Sequence, residues 1–314
     1  MTPLVSVIVV SYNTRELTLR GLRALDGAGT TVPYEVILVD NASEDGSANA
    51  VEDAGLAATV LRLPRNVGFA RAVNAGAARA RGQYLMLLNP DAAPVGDVIG
   101  AFVAFALANP RHGVYAGRTL REDGADDGRS VFALPSLWSL TCFATGLSTV
   151  FRRSRWLNPD ELPGLDRTAP AEVPAASGCL MFLDRKLFTS IGGFSPAYFM
   201  YSEDVDLCAR ATAAGAAPIL VPAAQVVHVG GASSTSVGKR VMVLRGKTTF
   251  LRLRWSGGRA AAGRTLLATG VAVRAAGARV TGRASYWRQV WAQRATWLAG
   301  WPSVDPEHAY EEVL

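Results

Sequence analysis

The feature that most restricts the fold is an alternation. Four short apolar runs, VSVIVVSYN (5–13), YEVILVD (34–40), ATVLRL (58–63) and YLMLLNPD (84–91), are separated by segments with helical spacing. Near-continuous β-branched runs are what strands covered on both faces look like. Strand and helix in turn predict βαβ units and a mainly parallel sheet with helices on its faces, an α/β fold. Asn13 and Glu16 form a capping-box pattern ahead of Leu19, Leu22 and Leu25. A further helix is predicted over 69–81, and Asp97 is predicted to cap another that ends before Pro110. In open sheets of this kind the ligand lies at the carboxyl ends of the strands. Asp40 and Asp91 fall at those ends, with Tyr12 and Asn13 just past the first run. A turn alone explains an Asn-Pro-Asp cluster, but four polar groups converging on one rim favour a ligand-facing Asp91.

A nucleotide cofactor held by backbone requires glycine. The turn after the first run, SYNTREL, has none, which excludes the dinucleotide fingerprint, and no GxxxxGK[ST] loop is present. A bound diphosphate would then need a divalent cation held by carboxylates. The cysteines Cys142, Cys179 and Cys208 are far apart, have no metal-ligand spacing and read as free thiols of a reducing compartment. No apolar run reaches the roughly 18–20 residues of a membrane-spanning helix, and the amino terminus lacks the basic and apolar regions of a signal peptide.

After residue 120 the alternation lapses into loop-like sequence as far as 173, around a short segment SLWSLTCF that suits either a helix or a strand. SGCLMFL (177–183) reads as another buried strand, SEDVDLCARATAAG as a helix capped by Ser202, and APILVP and QVVHV as two short strands. Glu203 and Asp204 open that helix, where its dipole favours anions. A paired acid there suits a base that deprotonates an alcohol, and it equally suits plain decoration of a helix start. Asp206 reads as structural, with Arg210 one turn on. His228 alone reads as a satisfied core histidine.

Taken in order, VSVIVVSYN, VILVDNASEDGS, NVGFARAVNAG, LMLLNPDA, SGCLMFLDRKLFTSIGGF, FMYSEDVDLCARA and HVGGAS resemble the family 2 glycosyltransferases of the GT-A fold, and most of all the rhamnosyltransferase-type enzymes. The likeness spans 5–236. It implies a GT-A domain over 1–236, with a nucleotide-binding half over 1–119 and an acceptor half over 174–236, followed by a basic, mainly helical extension over 237–314. It implies a nucleotide-sugar donor, with Asp40 on the base, Tyr12 packed against it, and Asn66, Gly68 and Asn74 lining the nucleotide. NPD stands where the family carries Asp-x-Asp. Asp91 takes the metal-ligand position, and Asn89 replaces the first acid, so it brings a hydrogen bond but no charge. His228 matches a further metal ligand, which makes a divalent cation, Mg or Mn, the implied cofactor. Asp204 takes the position of the catalytic base, with Glu203 assisting. The implied reaction is inverting transfer from a dTDP-linked donor (L-rhamnose) to a cell-envelope glycan or a polyprenyl-diphosphate-linked acceptor. A UDP-linked donor stays open, as does a non-catalytic nucleotide-sugar or glycan-binding module in which Asn89 marks a decayed metal site.

The formal charge is +6, and it is unevenly spread. No acid occurs between Asp206 and Asp305, whereas 13 Lys and Arg lie between Lys239 and Arg294. Such a block needs an anionic partner or a solvated face. Val237, Val241, Leu244, Thr248, Leu251 and Trp255 form a helical stripe flanked by Arg240, Lys247 and Arg254 on one side and Arg245 and Arg252 on the other. Tyr286, Trp287, Trp291, Trp297 and Trp301 follow. Two readings stand: a helix lying on a membrane surface, apolar face down, or one packed on the enzyme's own core. The first makes the protein cytoplasmic and peripheral on the inner face of the plasma membrane. No nucleic-acid module is recognisable, so no nucleic-acid partner is expected.

Overall fold

A computed structural model describes residues 2–228, 236–277 and 284–302. Most of HVGGAS and the residues after 302 lie outside the described residues. The first half builds as expected, with one short helix (α2) added between the second and third runs: Val5–Ser11 (β1), Arg15–Asp26 (α1), Tyr34–Asp40 (β2), Ser47–Asp53 (α2), Ala58–Arg62 (β3), Phe69–Arg79 (α3) and Tyr84–Leu88 (β4). β1 is parallel to β2 on one side and to β4 on the other, and β2 is parallel to β3. Every residue of β1 and β4 is buried, which explains why neither shows a polar alternation. The chain first winds β1, β2, β3 outward, then returns across β1 to β4. That reversal opens a crevice above β1 and β4.

Ala92–Val95 (β5), Val98–Ala108 (α4), Val114–Leu120 (β6), Val131–Phe132 (β7), Leu137–Ala144 (α5), Leu147–Val150 (α6), Ala171–Glu172 (β8), Ala175–Ala176 (β9), Leu180–Asp184 (β10), Arg185–Ser190 (α7), Glu203–Ala213 (α8) and Ile219–His228 (β11) follow. The main sheet runs β3-β2-β1-β4-β10-β6-β11-β5, with β8 on β11. β10 is antiparallel to β4 and β6, so the sheet is mixed. Asp97 accepts from Gly100 N–H at 2.8 Å and caps α4 as predicted. The three cysteines are buried and unpaired.

Several expectations need correction. α1 is capped at Thr14, not Asn13. Asn13 sits at φ 53°, and its side chain accepts from Glu44 N–H at 2.8 Å, so the capping box does not form. Ser202 precedes α8 in a left-handed conformation and caps it without a side-chain hydrogen bond. The two short strands predicted after Gly215 are one strand, β11, whose register shifts between Leu220 and Gln225 around Pro222. SLWSLTCF is helical, started by a reciprocal Ser136–Ser139 capping box.

Val237–Arg254 (α9), Gly257–Gly277 (α10), Ala284–Ala292 (α11) and Arg294–Ala299 (α12) form a helical layer. Its apolar stripe does not face outward. Val241, Leu244, Leu251 and Trp255 are buried with Leu267, Val271, Val290 and Trp297 in a core of their own, and Thr248 is buried beside them. Each such side chain contributes on the order of 1.5–3 kcal/mol by leaving water. The same core takes in Val205 and Ala209 of α8. Among the described residues no helix is long and apolar enough to cross a membrane.

Candidate active site

The donor side of the crevice is shaped by side chains that fix the backbone. Asp40 ends β2 buried and accepts from Ser43 N–H at 3.3 Å. Asn41 takes the Val67 N–H on its Oδ1 at 2.9 Å and donates from Nδ2 to Asn66 Oδ1 at 3.0 Å. Asn66 Oδ1 also takes Gly68 N–H at 3.0 Å. Gly68 has φ +84°, and a Cβ there would overlap the Phe199 carbonyl, so only glycine fits. Phe69 N–H donates to that same carbonyl at 2.8 Å, which ties α3 to the 199–203 segment. Tyr12 is 47% exposed, leaving its ring face open to a flat ligand. Asn74 is the exception among the expected nucleotide-lining residues. Its Nδ2 donates to Phe194 O at 2.8 Å and its Oδ1 accepts from Phe194 N–H at 2.9 Å, so its amide is wholly engaged in holding the 194 loop.

Asp91 lies three residues beyond β4. His228 closes β11, and antiparallel pairing of β11 with β5 sets His228 directly opposite Ala92. The result is Asp91 Oδ2 at 3.2 Å from His228 Nε2. A third group, which sequence reading passed over, is Asp127, whose Oδ2 lies 3.6 Å from His228 Nδ1. Asp127 is held by Thr119 Oγ1–H and by Arg129 N–H, and these donors with His228 keep its carboxyl below the usual range against the opposing effect of burial. It sits in EDGADDGRS, where nothing local separates it from the neighbouring turn acids. Burial pulls the His228 pKa down, but the two flanking carboxylates win and push it up to about 12. Asp91 Oδ1 is buried without a hydrogen-bond partner.

Whether these residues suit a cation follows from their donors. With its Nε2 proton displaced, His228 and an Asp91 carboxylate oxygen about 3 Å away would suit two adjacent positions around one small divalent ion, and the unpartnered Asp91 Oδ1 adds a free acceptor. Asp127 on the far ring nitrogen orients the imidazole, as carboxylates do behind metal-bound histidines. No group of three or more His, Cys, Asp or Glu among the described residues forms a closed metal cage. A cation held by these two candidate ligands would take its remaining positions from phosphate or water.

The acid pair is tied to the Asp91 turn through the backbone of residues 178–179. Asp204 Oδ2 accepts from Gly178 N–H at 3.2 Å and Oδ1 from Val205 N–H at 2.8 Å. One residue on, Cys179 O accepts from Asn89 N–H at 2.9 Å. The 178–179 segment therefore joins Asp204 to the NPD turn. Burial and the Asp204 charge hold Glu203 well above the ordinary glutamate range, with one of its carboxyl oxygens unpartnered. Burial also raises Asp204, but two N–H donors oppose it. Asp204 thus carries N–H donors that favour its charged form, whereas Glu203 Oε2 has none. Asp206 is fully buried, bonded by Arg210 at 2.8 Å and by Arg254 of α9, with Tyr198 O–H at 3.3 Å, which is the structural role expected of it.

The raised Glu203 gives a pH test. Its folded pKa exceeds its unfolded value, so its stabilising contribution is complete below the ordinary glutamate range and is lost as pH rises through the folded value. Against Glu203→Gln, the wild type is expected to lose melting temperature as pH rises from the ordinary glutamate range. Parallel curves for the two proteins in calorimetry would contradict the assignment.

A mixed, mainly parallel sheet with its polar rim over the β1–β4 reversal is the GT-A class of architecture. Solved structures share it: a mannosyltransferase from Pyrobaculum calidifontis in complex with GDP-Man and Mn2+ superposes with TM-score 0.58 at 20% identity, over 95% of this chain and 86% of that one. GalNAc-T7 with UDP, GalNAc and Mn2+ gives 0.54 at 18% identity, over 80% and 48%. At such identities the likeness is one of fold. The family model described as glycosyl transferase family 2 matches residues 6–192. An N-acetylglucosaminyl-diphospho-decaprenol L-rhamnosyltransferase of Mycobacterium tuberculosis is 30% identical over 241 residues, 73% of this chain and 76% of its own length. The Escherichia coli rhamnosyltransferase WbbL is 30% identical over 94 residues, 30% of this chain and 36% of its own. The chain belongs to glycosyltransferase family 2 and is rhamnosyltransferase-like within it.

Proposed function

We propose that the protein transfers L-rhamnose, with inversion, from a dTDP-linked donor to a sugar carried on a polyprenyl diphosphate at a membrane surface. The reading is supported above all by one arrangement: an ionisable Asp204 and an Asp91–His228 pair joined through the same two-residue segment, 178–179. The L-rhamnosyltransferase name of the mycobacterial relative supports the choice of sugar and of lipid-linked acceptor.

Asp40, at the floor of the crevice, accepts from the ring N–H of a pyrimidine, and Tyr12 covers the base. Asn89 hydrogen-bonds the ribose. Asp91 and His228 would hold a divalent cation, which supplies positive charge for the departing diphosphate. Asp204 takes the proton of the acceptor hydroxyl as its oxygen attacks the anomeric carbon from the face opposite the diphosphate. One C–O bond forms as the other breaks, and the anomeric configuration inverts. Glu203, protonated beside it, keeps the second charge out of the site.

Thermal shift with dTDP and UDP, each with and without Mn2+, tests the donor side, because a ligand that binds only the folded chain raises its melting temperature. The expected result is a shift larger for dTDP than for UDP, dependent on Mn2+, whose cation-dependent part disappears in Asp91→Asn. A larger UDP shift would move the assignment to a UDP-sugar enzyme. Nucleotide binding without Mn2+-dependent turnover would favour a binding module, a reading that Asn89 in place of an acid keeps in play.

A further inference from the structure

Ten large apolar residues are exposed among the described residues, and five of them fall in one window of twenty: Leu137 at 40%, Trp138 at 52%, Val150 at 73%, Phe151 at 47% and Trp156 at 67%. The window folds on itself. Trp138 Nε1–H donates to Trp156 O at 2.7 Å, which ties the start of α5 to the chain beyond α6. Arg152, Arg153 and Arg155 are exposed between the aromatic residues. None has a carboxylate partner among the described residues; Arg152 reaches Thr149 O and Arg155 lies over the Trp156 ring. From 128 to 159 the sequence holds four arginines and no acid. The patch is braced from behind: Arg274 of α10 donates to Phe143 O and to Thr149 Oγ1 at 2.6 Å.

We infer that the 137–156 segment is a docking surface for an anionic lipid bilayer, with Trp138, Phe151 and Trp156 entering the headgroup region and the three arginines pairing with lipid phosphates. Tryptophan suits the interface because its ring is apolar and its N–H polar. Arginine binds phosphate through a planar fork and keeps its charge at any physiological pH. A protein partner would cover the aromatic residues without calling for three adjacent unpaired cations, and an anionic bilayer answers both. The location suits the proposed reaction. β7 pairs with β9, and β9 runs directly into the segment that holds Asp204. Leu137 lies five positions after Phe132, a reach of at most ~18 Å. A patch on the bilayer would therefore keep the acceptor side of the cleft close to lipid-borne substrate. This location argument rests on the proposed lipid-linked acceptor, while the surface itself does not.

The test is vesicle flotation of the full chain, using phosphatidylcholine with and without phosphatidylglycerol, at low and high salt. The wild type is expected to float with the anionic vesicles and to be released by salt. Phe151→Ser with Trp156→Ser is expected to weaken partitioning about ten-fold or more. Replacing Arg152, Arg153 and Arg155 by Gln is expected to weaken it on the order of a hundred-fold and abolish the preference for anionic lipid. The Trp138 bond goes to a backbone carbonyl and survives both changes, so melting temperatures and the nucleotide-induced shift should match the wild type. Flotation unaltered in both variants, no flotation of the wild type, or a vesicle-free dimer lost in the Trp156 variant, which would assign the face to a second copy, each overturns the inference. A chain that floats yet binds no nucleotide refutes the donor reading alone; one that binds nucleotide yet does not float refutes this inference alone.

Discussion

Asp204→Asn is expected to lower turnover by roughly 10²–10⁴-fold, the range over which a positioned general base acts. Nucleotide binding should be unchanged, because the proposed role of Asp204 is on the acceptor side and its carboxylate accepts from the Gly178 and Val205 N–H groups. Asparagine has one side-chain acceptor where aspartate has two, so one of those N–H groups loses its partner, and a modest loss of stability is expected on that account. The base assignment therefore rests on the pair of readouts. A fall in turnover with an intact nucleotide-induced thermal shift supports it. Turnover near that of the wild type would remove Asp204 from the reaction and leave Glu203, whose raised pKa makes it a poor base near neutrality, as the weaker substitute.

The second large effect concerns stability. Asp206→Ala is expected to destabilise the fold by about 3–5 kcal/mol, the usual result of removing one partner from a buried ion pair. Arg210 and Arg254 would both lose their carboxylate, and Tyr198 O–H its acceptor. At roughly 2–4 °C per kcal/mol for a chain of this size, the melting temperature should drop on the order of 10 °C. Arg254→Gln alone should cost less, since Arg210 still neutralises the acid, and the double-mutant cycle between Asp206 and Arg254 should show coupling. Additive changes would mean that the α9 cation is incidental to the stability of α8.

Local signals carried the first half of the fold well. The apolar runs became β1 to β4, although β3 is an edge strand with no buried residue, and Asp97 capped its helix, because both depend on residues near in sequence. β6 was missed, since VYAGRTL carries a glycine and an arginine and shows neither strand pattern cleanly. Asn13 failed as a cap because a distant backbone group, Glu44 N–H, captured its side chain. In the site, the rim positions of Asp40, Tyr12 and Asp91 were legible from strand ends. The closeness of His228 to Asp91 was not derivable from spacing, for it depends on an antiparallel register between strands more than a hundred residues apart. Asp127 was invisible for the same reason, as was the hold of Asn74 on the Phe194 backbone, 120 residues away. Periodicity marked the α9 stripe as apolar without saying what would cover it. A bilayer and three further helices satisfy the same pattern, and here the helices do.

The helical layer also bears on how the molecule could be shortened. Gly246 of α9 lies against the Tyr201 carbonyl so closely that a Cβ would overlap it, Arg254 neutralises Asp206, and Trp301 Nε1–H donates to Met200 O at 3.1 Å. All three struts bear on the stretch that opens into Glu203 and Asp204. Trimming back to the α/β portion would keep the donor crevice and unmoor Glu203 and Asp204. Such a fragment should still recognise nucleotide while being inert toward an acceptor, so the tail is scaffolding for chemistry rather than an appendage to it.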